Sequence, residues 1–232
     1  MLVVRFRISG SLRFLSHAQT LRLFQRACVR AGLKIQYSQG FNPRPRMSLP
    51  LPRPVGIESD DELLCLRVHK STSEQEHKCI SEQEHKSISA QVHKNVSAQV
   101  PEGCELLSVN VTEASASFQP CSAAYVLAVR KEYLNEKLKT TIERLLASES
   151  LILERRIKAQ DTRHKTQDPR LKNVDVRGFL KSIELDPNGI IVECKISSAG
   201  SIRVDEILKL LELDVEKLVS PIRRTRVQWK EA

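Results

Sequence analysis

Residues 2–33, LVVRFRISGSLRFLSHAQTLRLFQRACVRAGL, contain the two periodicities on which the fold assignment rests. Leu2 to Ile8 alternates loosely around Arg5 and Arg7, as a strand with one buried face would. Ser9, Gly10 and Ser11 turn the chain. Ser16 then stands as an N-cap three residues before Gln19, the spacing of a capping box, and Gly32 occupies the position where a left-handed residue ends a helix. The spacing predicts a helix over about 17–31. One stripe of it carries Leu21, Phe24, Cys28 and Ala31; another carries Arg22, Arg26 and Arg30, each one turn from the next.

Downstream, residues 36–56, QYSQGFNPRPRMSLPLPRPVG, hold five prolines and two glycines. Proline lacks an amide donor and disfavours helix in the residue before it, so this stretch reads as a rigid loop or edge strand. A strand over about 62–68 follows. Residues 69–97 then repeat His-Lys at 69, 77, 85 and 93, a period of eight that walks around a helix and holds no constant face. An exposed, at most marginally helical insert is expected there. Four histidines so spaced align poorly for a metal and read as solvent-facing.

Beyond Pro101 the alternating pattern resumes, with strands over about 105–111, 123–129 and 151–157, and a helix over about 132–147. A polar basic loop follows the third strand. Residues 174–184 and 189–196 read as a hairpin around Asp186-Pro187-Asn188-Gly189, and a helix at 204–213 precedes a final strand at 221–229. The element order predicts an α+β fold of two ferredoxin-like α/β sandwich halves with mainly antiparallel sheets. The first would span 1–115, with the repeat at 69–97 in place of its second helix, and the other 120–232.

Charge placement carries the functional reading. The net charge is +9, yet Met1 to Ile57 holds ten Lys and Arg and no Asp or Glu. A single-sign segment of this kind suits an anionic partner. His17 at the helix start, where open amides favour anions, could bind a phosphate or act as a neutral base. Arg13 lies close by in sequence. Arg44 and Arg46, held between prolines, lose little entropy on gripping phosphates or carboxylates. Tyr37, Phe41 and Asn42 sit beside them, either to stack on a base or to anchor and close the loop. Arg223, Arg224, Arg226 and Trp229 give a basic last strand that suits nucleic acid, or a tryptophan sealing the core. Asp175 and Arg177 form a weaker pair read as an internal salt bridge or a site. The acidic run Glu58, Asp60, Asp61 and Glu62 reads as a solvated turn.

The string YSQGFNPRPRMSL at 37–49, with GSLRFLSH at 10–17 and PLPRPVGIES at 50–59, resembles the radical SAM-linked family, which occurs alone or fused behind a cobalamin-binding radical SAM enzyme. VDVRGFLKSIEL, IRVDEILKLL and IRRTRVQW extend the likeness through 174–229, whereas 69–99 departs from it. Members usually carry a conventional amphipathic segment there, before the PEG found here at 101–103. The resemblance implies work with a radical SAM/cobalamin partner. The chain itself has no CxxxCxxC cluster motif, and no cofactor is expected.

Six scattered cysteines without CxxC spacing, a charged N-terminus and no apolar run near membrane length point to a cytoplasmic chain with reduced thiols and no membrane. No G-x-S-x-G, Walker loop or H-E-x-x-H is present. Three functions fit this inventory. They are a non-catalytic RNA-binding accessory module presenting tRNA or rRNA to the radical SAM enzyme, a protein adaptor for that enzyme, and a metal-independent RNA nuclease using His17.

Overall fold

The structure, a computed structural model, describes residues 1–69, 82–113, 115–157 and 170–231. The fold is α+β, with mixed and mostly antiparallel strand pairing. The chain forms two compact units, Met1–Pro120 with Ile222–Ala232, and Cys121–Pro221. A clean division into two ferredoxin-like halves does not emerge.

In the first unit β1 (Leu2–Ile8) runs into α1 (His17–Arg30), then the short β2 (Met47–Ser48), β3 (Glu58–Leu66), α2 (Glu82–Ser97) and β4 (Cys104–Val111). The strand order is β4-β1-β3-β2, antiparallel throughout, with Val4 opposite both Leu64 and Val109 and Met47 opposite Leu66. As the strand between β3 and β4, β1 is buried on both faces, where one buried face was expected. Leu2, Val4, Phe6 and Ile8 join Phe24, Ala27 and Cys28 of α1, and Val3 joins Leu63 and Cys65 in a separate cluster. Phe6 and Phe24 meet edge to face at 4.4 Å. The capping box of α1 forms as read, and Gly32 takes φ 77°.

The repeat corrects its own expectation. Its first part, with His77, lies outside the described residues. From Glu82 to Ser97 the chain is a packed helix, because Val92, at the repeat position held by Glu84 one unit earlier, joins Val96 four residues on and both enter the core. His93 is half-buried rather than solvent-facing, its Nε2 3.1 Å from the Leu106 carbonyl oxygen.

In the second unit β5 (Phe118–Leu127, begun in the first) is followed by α3 (Glu136–Ala147), β6 (Ile152–Ile157), β7 (Arg170–Asp175), β8 (Leu180–Asp186), β9 (Gly189–Ser197), β10 (Gly200–Ser201) and α4 (Val204–Leu210). β9 lies between β5 and β8, while β6 and β7 pair as a two-stranded ribbon; of the basic loop expected after β6, residues 158–169 lie outside the described residues and 170–173 are strand. The β8–β9 turn needs Gly189, where a Cβ would sit 2.1 Å from the Leu127 carbonyl oxygen. The strand expected over 174–184 breaks into β7 and β8 at Arg177. Its guanidinium donates to the carbonyls of Leu146, Ser148 and Leu180 at 3.0, 2.9 and 3.0 Å. Asp175 accepts the Leu151 and Arg177 amides, which hold its carboxyl below the usual range, so the pair shapes a corner.

The chain ends in β11 (Arg223–Glu231), which pairs parallel with β3, Arg223 opposite Glu58 and Arg224 opposite Ser59. The sequence reading grouped this strand with residues 120–232. Its contacts place it in the first unit, where its arginines find carboxylates.

Candidate functional site: an arginine face on the first helix

Two groups of arginines emerge in the first unit. The first is neutralised. The run Glu58-Ser-Asp-Asp-Glu62 is part of β3 and not a solvated turn, because each carboxylate is drawn to a guanidinium on a neighbouring strand. Arg5 grips Asp61 through two hydrogen bonds of 3.1 and 2.9 Å, and Arg7 meets Asp60 and Glu105, each at 3.1 Å. Arg223 reaches Glu58 at 3.1 Å. Arg224, with 1% of its side chain exposed, donates to Glu62, exposed by 4%. The basic last strand therefore pairs two of its three arginines with β3 carboxylates, but only Arg224 is buried; Arg223 and Arg226 are exposed.

Arg53 belongs to the same buried centre. Although it too is set between prolines, its guanidinium turns inward and donates to the carbonyls of Leu12, Arg13, Leu15, Pro54 and Ile57. Burial lowers its pKa, against the attraction of Glu62. Nothing in the sequence separated Arg53 from Arg44 and Arg46. The signal that could have found the centre is the acidic run that follows 57 acid-free residues. His17, the first residue of α1, is exposed and meets this centre, lining a small cavity of about 10 Å³ with Thr20, Arg53 and Glu62.

The second group is open. Arg22, Arg26 and Arg30 are exposed along α1, and among the described residues none has a carboxylate partner. They border two grooves of about 460 and 590 Å³. Gln25 and Val29 complete the first; Leu12, Gln19, Leu23 and the segment after α2 help line the second. Arg13 is half-buried, donates to the Gly10 carbonyl at 2.9 Å and lies 4.4 Å over the exposed Phe14 ring.

The proline-rich stretch is a hairpin-like loop. Tyr37 bridges to Pro45, the Ser38 amide donates to the Arg44 carbonyl at 2.8 Å, and the Arg46 amide donates to the Gln36 carbonyl at 2.7 Å. The Tyr37 hydroxyl lies 3.5 Å from Gln25 Nε2, so the loop is tied to α1 between Arg22 and Arg26. Arg44, Arg46 and Asn42 are exposed, and Phe41 is 100% exposed. Of the alternatives read for the two aromatics, Tyr37 secures the loop while Phe41 anchors nothing.

A model described as an uncharacterized protein conserved in bacteria (DUF2344) matches residues 1–210. The chain belongs to this family. DUF2344 occurs standalone or fused to radical SAM/cobalamin proteins, as the resemblance in the sequence implied. The match takes in α1, the loop and the carboxylates of β3. No curated protein matches the chain.

Several cysteines of this DUF2344 chain are buried in its core. Burial pushes the thiols of Cys28, Cys104 and Cys194 up to about 11, 12 and 12, far from the thiolate a nucleophile needs. Among the described residues no cluster of His, Cys, Asp or Glu is arranged for a metal, and no helix is long and apolar enough to cross a membrane.

Proposed function

We propose that this chain is a cytoplasmic, non-catalytic RNA-binding accessory module of a cobalamin-dependent radical SAM enzyme, and that the RNA backbone lies along α1. The observation that carries the reading is the open row Arg22, Arg26 and Arg30 beside its grooves, in a unit whose other arginines are largely internally paired. Charges recurring every ~6 Å along a helix form a line. A line of guanidiniums suits a series of phosphates better than one compact anion. Arg44 and Arg46 extend it from the loop tied at Tyr37, with Arg13, Asn42 and Arg226 as further contacts. The scaffold is read as ferredoxin-like in the first unit, from the order β4-β1-β3-β2 with two helices as connections. The family's link to radical SAM/cobalamin proteins supplies the partner.

Fluorescence anisotropy with labelled tRNA across a salt series tests this reading. Each phosphate contact removed should flatten the salt slope by about one. R22A/R26A/R30A is therefore expected to weaken binding strongly and flatten the slope by about three, and R44A/R46A by about two. Wild-type affinity in both variants overturns the assignment. Binding of the radical SAM enzyme by a chain that ignores RNA identifies a protein adaptor instead.

A further inference from the structure

Phe41 is 100% exposed, the most exposed of the large apolar side chains described. A phenylalanine left in water forgoes the gain of burying its ring, so its position at the tip of a braced loop asks for an occupant. The bracing is specific. The Arg44 amide donates to Ser38 Oγ at 2.9 Å, the Arg67 amide donates to the Arg46 carbonyl at 2.9 Å, and Pro43 and Pro45 fix the returning arm. Gly40 precedes Phe41 at φ 141°, a conformation that glycine adopts readily. The ring is therefore presented on a short stem that has already lost most of its entropy, with two exposed guanidiniums three and five residues further on.

Gln39, Gly40, Asn42 and Pro43 on either side of it in the chain are exposed and none is a large apolar residue, so among the described residues the loop tip itself offers no contiguous apolar patch of the kind a lipid surface or a protein hot spot would need. One bare ring beside cations matches an unpaired nucleobase, whose face stacks on the ring while its flanking phosphates meet arginine. Bases inside an A-form duplex have no such face to offer. We infer that Phe41 is a base-stacking platform and that the RNA recognised by this site is unpaired where it crosses the loop. The inference rests on the RNA-binding reading above and narrows it to a substrate class.

Anisotropy with a labelled oligouridylate and with a blunt RNA duplex of matching length, on the full chain, tests it. F41A is expected to weaken oligouridylate binding about tenfold and leave the duplex affinity unchanged. F41W should bind as the wild type does, its indole emission quenched by the oligouridylate and not by the duplex. If F41A binds oligouridylate normally while R22A/R26A/R30A does not, the stacking role falls and the RNA-binding function stands. If neither variant differs from wild type, both fall. Loss of radical SAM enzyme capture in F41A, with RNA binding intact, makes the ring a protein contact and also overturns the inference.

Discussion

The arginines of β1 and β11 and those of α1 lie in one unit and differ in what faces them. On the strands Arg5, Arg7, Arg223 and Arg224 each have a carboxylate of β3 within reach, and the Arg224–Glu62 pair is almost fully buried. On α1 the guanidiniums border open grooves and have no carboxylate partner among the described residues. Identical side chains thus do opposite work. Where a strand register supplies an acid the charge holds the sheet together, and where none is supplied the charge remains available to another molecule.

The largest effect should come from the buried pair. Glu62→Ala removes a buried carboxylate that faces Arg224 and Arg53 and should cost about 3–5 kcal/mol in denaturant unfolding, or abolish soluble expression. Near-native stability in that variant would mean the strand arginines are as dispensable to the fold as those of α1.

The second unit offers the same contrast through pH. Glu206, bound by Arg155 Nε and Nη2 at 2.6 and 2.7 Å, is also buried. Burial alone would raise its carboxyl. The Arg155 hydrogen bonds, the Arg203 amide and the nearby charges outweigh that and hold it below the ordinary value of 4.5. The stabilisation is therefore whole above the carboxyl's unfolded pKa and is lost as pH falls through the lower folded one. A pH series of unfolding curves should show E206Q less stable than wild type at neutral pH, with the gap closing in acid. A constant gap would deny the carboxylate its role.

Arg5→Ala should cost only about 1 kcal/mol, because the guanidinium it removes is half-exposed although bidentate. A much larger loss would place the Arg5–Asp61 pair with the buried centre. Smallest of all, R22A, R26A and R30A should each shift stability by less than about 0.5 kcal/mol while RNA binding falls. Thermal unfolding beside anisotropy separates the two readouts. A folding defect in these variants would erase the distinction between the two groups.

Much of the scaffold was legible in the sequence because its signals are local. The capping box of Ser16 and Gln19, the stop at Gly32 and the Asp186–Gly189 turn are set by residues within a few positions of each other. The packing of the helix across the third and fourth repeats was not legible, because two valines at positions 92 and 96 suffice to pack it once β4 lies beside them. A period of eight says nothing about that neighbour. Tyr37 and Phe41 have the same sequence context, yet one meets Gln25 and the other meets only water.

By itself the amino-acid sequence determined the α+β class, the strand-turn-helix opening, the family and the three arginines on one side of a helix. Only the tertiary structure decided which basic residues stay open. Charge compensation acts through space: Glu58 to Glu62 neutralise residues up to about 165 positions away, through the parallel register of β11 on β3. No window of sequence contains both members of such a pair, so the spent and the available arginines look alike until the strands are laid side by side.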